Sequence, residues 1–143
     1  MKREKNRTLH QKEFYAKMKK VKKPKIWEKK NMSISMIGID YSRASVDIRA
    51  QFSFTKKNAV TALEHLKQET GILGGVLLST CNRMELWAST QEDWQGSLYD
   101  FLCREKGREP EEFQDYFVQR TGTEAVEHLF YLTSGLKSQI LAE

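Results

Sequence analysis

Cys81 is the residue in this chain best placed for covalent chemistry. It stands in Ser79-Thr80-Cys81-Asn82-Arg83-Met84-Glu85, where an apolar run gives way to polar residues. A cysteine at the end of a strand, in a turn of polar side chains, is within reach of a substrate. A free thiol ionises near ~8.5, and a nearby cation or hydrogen-bond donors favour the thiolate that attacks carbonyl carbon. Arg83 offers two chemistries: a charge beside the sulfur, or a planar fork that grips a carboxylate through two parallel hydrogen bonds. The competing reading of Cys81 is packing, since free cysteine is among the most buried residue types. Cys103, beside an apolar helical face, is read as packing.

Elements on both sides must hold that turn. Gly75–Ser79 reads as a short apolar strand. Met84–Ala88 alternates, with Met84, Leu86 and Ala88 on one face and Glu85 and Trp87 on the other. Ser33–Asp40 reads as a buried strand through Ile34, Met36, Ile37 and Ile39. A turn-rich connection follows, with a short helix at Val46-Asp47-Ile48-Arg49. Thr55 is expected to cap a helix whose Ala59, Ala62, Leu63 and Leu66 share one face, with Gly71 as its stop. Thr90 is expected to cap a second helix reaching Lys106, with Trp94, Leu98, Phe101 and Leu102 inward and Gly107 at its end. Pro110 and Glu111 start a turn of helix, and Tyr116–Gln119 forms a last strand. Thr121-Gly122-Thr123-Glu124 has the form of a capping box. It opens a helix through Ala125, Val126, Leu129, Phe130, Leu132 and Leu136. Strand, helix, strand, strand, helix, strand, helix is the order of an α+β, ferredoxin-like split βαβ sandwich (βαββαβ) with an outgoing helix.

Composition divides the chain. Of 143 residues, 39% are hydrophobic and 30% charged, with a net charge of +5. That mix suits one globular domain. Residues 1–32 hold thirteen Lys/Arg against three Glu, and the remainder holds eleven against sixteen acidic residues, so the globular part is acidic. The basic segment has too little apolar surface to offset its ordering entropy, and disorder is expected there. A basic amphipathic helix within Gln11–Val21, or a working start at Met32 or Met36, are the alternatives for it. Deleting residues 1–31 is expected to leave the domain folded. The expected division is therefore a basic extension over 1–32, a ferredoxin-like catalytic domain over 33–122, and a helix over 123–143 leading onward. No apolar run approaches a membrane helix or a secretory leader, so the cytoplasm is the expected compartment. Two cysteines are too few for a disulfide scaffold, and no metal-ligand spacing is present.

Ser-Thr-Cys-Asn-Arg-x-Glu resembles the signature of glutamyl-tRNA reductase, the first committed enzyme of the C5 route to tetrapyrroles. Two further blocks carry the resemblance. Gly38-Ile39-Asp40-Tyr41-Ser42-Arg43-Ala44-Ser45-Val46-Asp47-Ile48-Arg49 is similar to that family's Gly-Leu-Asn-His-Lys-Thr-Ala-Pro-Val-x-Ile-Arg. His128-Leu129-Phe130, followed by Ser134-Gly135-Leu136-Lys137-Ser138, is similar to His-Leu-Phe-x-x-x-Ser-Gly-Leu-Asp-Ser. The three blocks occur in the family's order from Met32 to the end.

The resemblance implies that Cys81 attacks the ester joining glutamate to tRNA and forms a thioester. It implies that Arg83 holds the glutamate carboxylate, that Thr80 and Ser138 are polar substrate contacts, and that His128 positions the substrate or moves a proton. NADPH would then reduce the thioester to glutamate-1-semialdehyde. The partners implied are glutamyl-tRNA, the following aminomutase of the pathway, and a second copy joined through a C-terminal domain. Tyr41, Ser45, Lys137 and Ala142 depart from the family's His, Pro, Asp and Gly, which bears on efficiency. No Gly-x-Gly-x-x-Gly turn is present to cradle a pyrophosphate, so thioester formation without reduction is the expectation. The rival reading is an RNA-binding or regulatory ferredoxin-like module with an inert cysteine. It requires aromatic residues such as Trp87 on an open sheet face.

Overall fold

A hairpin built around Cys81 forms one side of the sheet. The structure, a computed structural model, describes residues 32–135. Residues 1–31 and 136–143 lie outside the described residues, and with them the expectations for the basic extension, Leu136, Lys137 and Ser138. The elements in chain order are β1 (Met32–Asp40), α1 (Val46–Phe52), α2 (Lys56–Leu66), β2 (Ile72–Ser79) and β3 (Arg83–Gln91). There follow α3 (Leu98–Lys106), α4 (Pro110–Phe113), a 3-10 turn (Gln114–Tyr116), β4 (Val118–Thr121) and α5 (Gly122–Thr133). The result is a mixed α/β fold whose strands form one antiparallel sheet in the order β2-β3-β1-β4.

Period-two alternation sends each strand's residues to opposite faces. Ile37 pairs with Leu86 and Ile39 with Met84, and these side chains meet Phe52, Leu66, Leu98 and Leu102 in the main core. Phe52 is fully buried there. It meets Phe113 and Phe117 edge-on, with ring centroids 5.1 and 4.8 Å away. Truncating such a residue to alanine costs about 3–5 kcal/mol. On the opposite face Met36 pairs with Trp87 and Gly38 with Glu85. That face is also covered. Ala125 of α5 packs on Met36 and Trp87 in a second, smaller core.

Several local expectations change. Thr90 does not cap a helix; it is buried within β3. The strand continues because Thr90 and Gln91 pair with Ser33 and Met32, a tertiary contact that no local pattern announces. The helix begins instead after Ser97, whose side chain accepts from the Asp100 N–H at 3.1 Å. Trp94 therefore lies outside it, its indole closely covering Gly71 and Gly96. Gly71 is not the stop of α2, which closes at Leu66; it stands at φ 89° just before β2. Thr55 and Gly107 do cap as expected, Gly107 in the left-handed conformation. The capping box does not form, because Thr121 makes no side-chain cap bond and Gly122 turns the chain at φ 54°. Tyr116 falls in the 3-10 turn, and the last strand starts at Val118. The final helix ends at Thr133, with Gly135 at φ 75° beyond it.

Candidate active site

The turn from β2 to β3 is tied down at its flanks and open at its tip. Thr80 N–H donates to Arg83 O at 2.8 Å. The Thr80 hydroxyl accepts from the N–H groups of Asn82 and Arg83 at 3.3 and 3.2 Å. Asn82 O accepts from Tyr41 N–H at 3.0 Å, binding the turn to the end of β1. Between these ties Cys81 is exposed, whereas Cys103 is buried in α3. Burial also pushes the Cys103 thiol above its ordinary range, against a hydrogen bond with Tyr99. The two thiols are therefore chemically distinct, and only Cys81 meets solvent.

Directly beneath the turn, on the face covered by α5, lies a buried polar cluster. Arg83, Glu85 and His128 are 9%, 3% and 6% exposed. Glu85 Oε1 accepts from Arg83 Nη1 at 3.0 Å and pairs with His128 Nε2 at 3.0 Å. Its Oε2 accepts from Trp87 Nε1 at 3.1 Å. The His128 ring stacks on Trp87, with centroids 5.9 Å apart and planes 17° apart. A carboxylate oxygen that accepts here makes His128 Nε2 the donor of this pair. Nδ1 is buried without a hydrogen-bond partner among the described residues. Gly38 makes the cluster possible, since a Cβ there would stand 2.8 Å from Glu85 Cγ.

Two cavities flank this arrangement. One, of about 200 Å³, is lined by Thr80, Cys81, Arg83, Arg49, Val46 and Ser53, with Ala50 and Met84. The other, of about 180 Å³, takes Glu85 and His128 together with Gly38, Asp40, Ser42 and Arg43 among its walls. Of the residues singled out in the sequence, Thr80, Cys81 and Arg83 share the first cavity. His128 lines the second and joins the first through Glu85 and Arg83. Two participants were missed, Glu85 and Arg49. The signal for Glu85 was its place two residues after Arg83, on the same strand face as an opposite charge. Arg49 gave no such local signal.

The sequence profile described as "Glutamyl-tRNAGlu reductase, N-terminal domain" matches residues 37–143. The chain belongs to the glutamyl-tRNA reductase family. A glutamyl-tRNA reductase of Acetivibrio thermocellus is 40% identical over 112 residues, covering 78% of this chain and 34% of the relative. One of an Exiguobacterium species is 42% identical over 114 residues, covering 78% of this chain and 25% of the relative. The solved glutamyl-tRNA reductase from Methanopyrus kandleri superposes with a TM-score of 0.59 at 29% identity, over 80% of this chain and 25% of that one. The chain thus spans about a third or less of these relatives' lengths.

Within the glutamyl-tRNA reductase family, then, the rival reading as an RNA-recognition sheet is not favoured. Trp87 is buried and stacked on His128, so it presents no open face to a base. Gly74 and Gly75 run inside β2, paired with Ser89 and Ala88, and do not lead from a strand into a helix N-terminus. No helix among the described residues is long and apolar enough to cross a membrane.

Proposed function

We propose that this chain carries out the acyl-transfer step of glutamyl-tRNA reduction, with Cys81 as nucleophile. The observation that carries the reading is an exposed thiol on a turn tied at both flanks, sharing a cavity with Arg83. The sulfur attacks the ester carbonyl of glutamyl-tRNA. The bond to the terminal ribose oxygen breaks, that oxygen takes a proton, and the glutamyl group stays on Cys81 as a thioester. Arg83 recognises the glutamate side-chain carboxylate. A guanidinium carries five N–H donors, so its pairing with Glu85 and its recognition of substrate are compatible. Thr80 is a polar contact beside the sulfur, and Ser138, outside the described residues, is assigned the same role by family resemblance alone. His128, held by Glu85 through Nε2, keeps its second ring nitrogen, Nδ1, for positioning substrate or moving a proton.

The order β2-β3-β1-β4 supports the ferredoxin-like assignment, because each β-helix-β passage skips one strand and the hairpin of β2 and β3 lies at one edge. The partner proposed for this chain is glutamyl-tRNA. Reduction by NADPH to glutamate-1-semialdehyde, pairing with a second copy and contact with a semialdehyde-consuming aminomutase are proposed for the whole protein. The chemistry assigned to the described residues ends at the thioester.

The test is incubation of the chain with charged glutamyl-tRNA, followed by mass spectrometry of its peptides. A glutamyl adduct on the peptide holding Cys81, absent from Cys103 and abolished in Cys81→Ala, is the expected result. No adduct at Cys81 would overturn the reading.

A further inference from the structure

From the sequence, Arg83 is the cation next to Cys81. In the structure its guanidinium is held by Glu85 under α5. The guanidinium that touches the cysteine turn belongs to Arg49 in α1. Its Nη2 donates to Cys81 O at 3.3 Å and its Nη1 to Ala44 O at 2.5 Å. Thr80, Asn82 and Arg83 have ties of their own to the strands. Among the described residues, Arg49 supplies the hydrogen bond that reaches Cys81 itself.

Three further observations set Arg49 apart from an ordinary surface arginine. It lines the same cavity as Cys81. Its Nε is buried with no hydrogen-bond partner among the described residues. It also forms no ion pair among the described residues, whose arginine–carboxylate pairs are those of Arg83 and Arg104. A guanidinium stripped of water on one edge and given two backbone carbonyls, rather than a carboxylate, serves those carbonyls. One lies at the entry to α1 and the other is that of the nucleophile. The two bonds bridge the β1–α1 connection to the β2–β3 turn.

We infer that Arg49 is the positioning residue of the nucleophile: it clamps Cys81 to α1 and so fixes where the sulfur stands in the cavity. The inference rests on the acyl-transfer reading for its catalytic consequence, though not for the clamp itself. Losing the clamp frees the tip of the turn while leaving the core and the Arg83–Glu85–His128 cluster in place. A misplacement of about 1 Å at a reacting centre can cost on the order of a hundredfold in rate.

The test compares the full chain with its Arg49→Ala and Arg49→Lys variants by two measurements. The first is single-turnover transfer of the glutamyl group to Cys81 as a function of glutamyl-tRNA concentration. The second is amide hydrogen exchange at Asn82 and Arg83. Arg49→Ala is expected to lower the maximal transfer rate about tenfold or more, with the half-saturating concentration little changed. Exchange at Asn82 and Arg83 should accelerate while the melting midpoint stays near that of the parent. Arg49→Lys, which reaches one carbonyl, should recover part of the rate. A maximal rate and exchange equal to the parent's in Arg49→Ala would overturn the inference. Should Arg49→Ala fail to fold, a folded Arg49→Lys decides by the same two measurements: slower transfer with faster exchange supports the clamp, and parental values in both overturn it. If the parent chain itself forms no adduct, the acyl-transfer reading falls, and the exchange comparison still judges the clamp.

Discussion

Glu85 receives three donors on its two oxygens: Arg83 and His128 on Oε1, and Trp87 on Oε2. Each of the three gains a buried acceptor from it, and a desolvated donor without one is costly. Glu85→Gln keeps the shape but removes the charge and turns an amide N–H₂ toward one of those donors. Breaking a buried ion pair from one side typically costs on the order of 3–5 kcal/mol. The variant is therefore expected to melt well below the parent. It should also transfer glutamate to Cys81 poorly, since Arg83 and His128 both lose this anchor. Thermal unfolding and the Cys81 adduct assay measure the two effects; a melting midpoint equal to the parent's would mean that the cluster adds no net stability. The same scale explains why two cysteines differ. Cys81 stands at the tip of a turn, and Cys103 sits inside a helix–sheet core.

At the level of elements, the site depends on how closely β1 and β3 approach beneath α5. Gly38 pairs with Glu85 on one side and Val118 on the other. A Cβ at Gly38 would meet Glu85 Cγ at 2.8 Å and Met84 O at 3.2 Å. The backbone oxygen cannot yield without disturbing the sheet, so the Glu85 side chain must move. Gly38→Ala is expected to destabilise the domain by about 1–3 kcal/mol, as overpacking does. It should also shift the NMR resonance of the Trp87 indole N–H, which donates to Glu85. An unchanged indole resonance in a folded variant would show that the strand pair tolerates the methyl group without moving the carboxylate.

Across the whole molecule, the main core contains two groups that resist ionisation. Burial holds the Tyr99 phenol and the Cys103 thiol above their ordinary ranges, and the Tyr99 hydroxyl also donates to Pro110 O at 2.6 Å. In the unfolded chain the thiol ionises near its free value of ~8.5. The folded state keeps the proton, so above that pH the native form binds more protons and stability falls as pH rises. Lys106 acts in the opposite sense. Burial lowers its pKa while its ammonium lies 3.7 Å over the Phe54 ring, so the unfolded chain holds that proton longer and stability rises with pH through that range. Comparing variants separates the contributions. Cys103→Ala should be less stable than the parent near neutral pH, yet lose less of its melting midpoint between about pH 8 and pH 10. Equal losses in the two proteins would remove Cys103 as a source of alkaline sensitivity.

Local patterns in the sequence determined the strand and helix order, the glycine and threonine caps that formed, and the turn that exposes Cys81. Those features depend on residues within one or two turns of each other, where periodicity and polarity act directly. Tertiary structure decided the rest. The alternation of β3 marked Glu85 and Trp87 as its other face, but α5 buries that face and brings His128, forty-three residues later in the chain, to Glu85. The extension of β3 through Thr90 came from pairing with β1 and overrode a plausible helix cap. Arg49 reaches Cys81 across thirty-two residues of chain. Contacts of that separation leave no periodic trace, because they arise only when packed layers bring distant segments within hydrogen-bond distance.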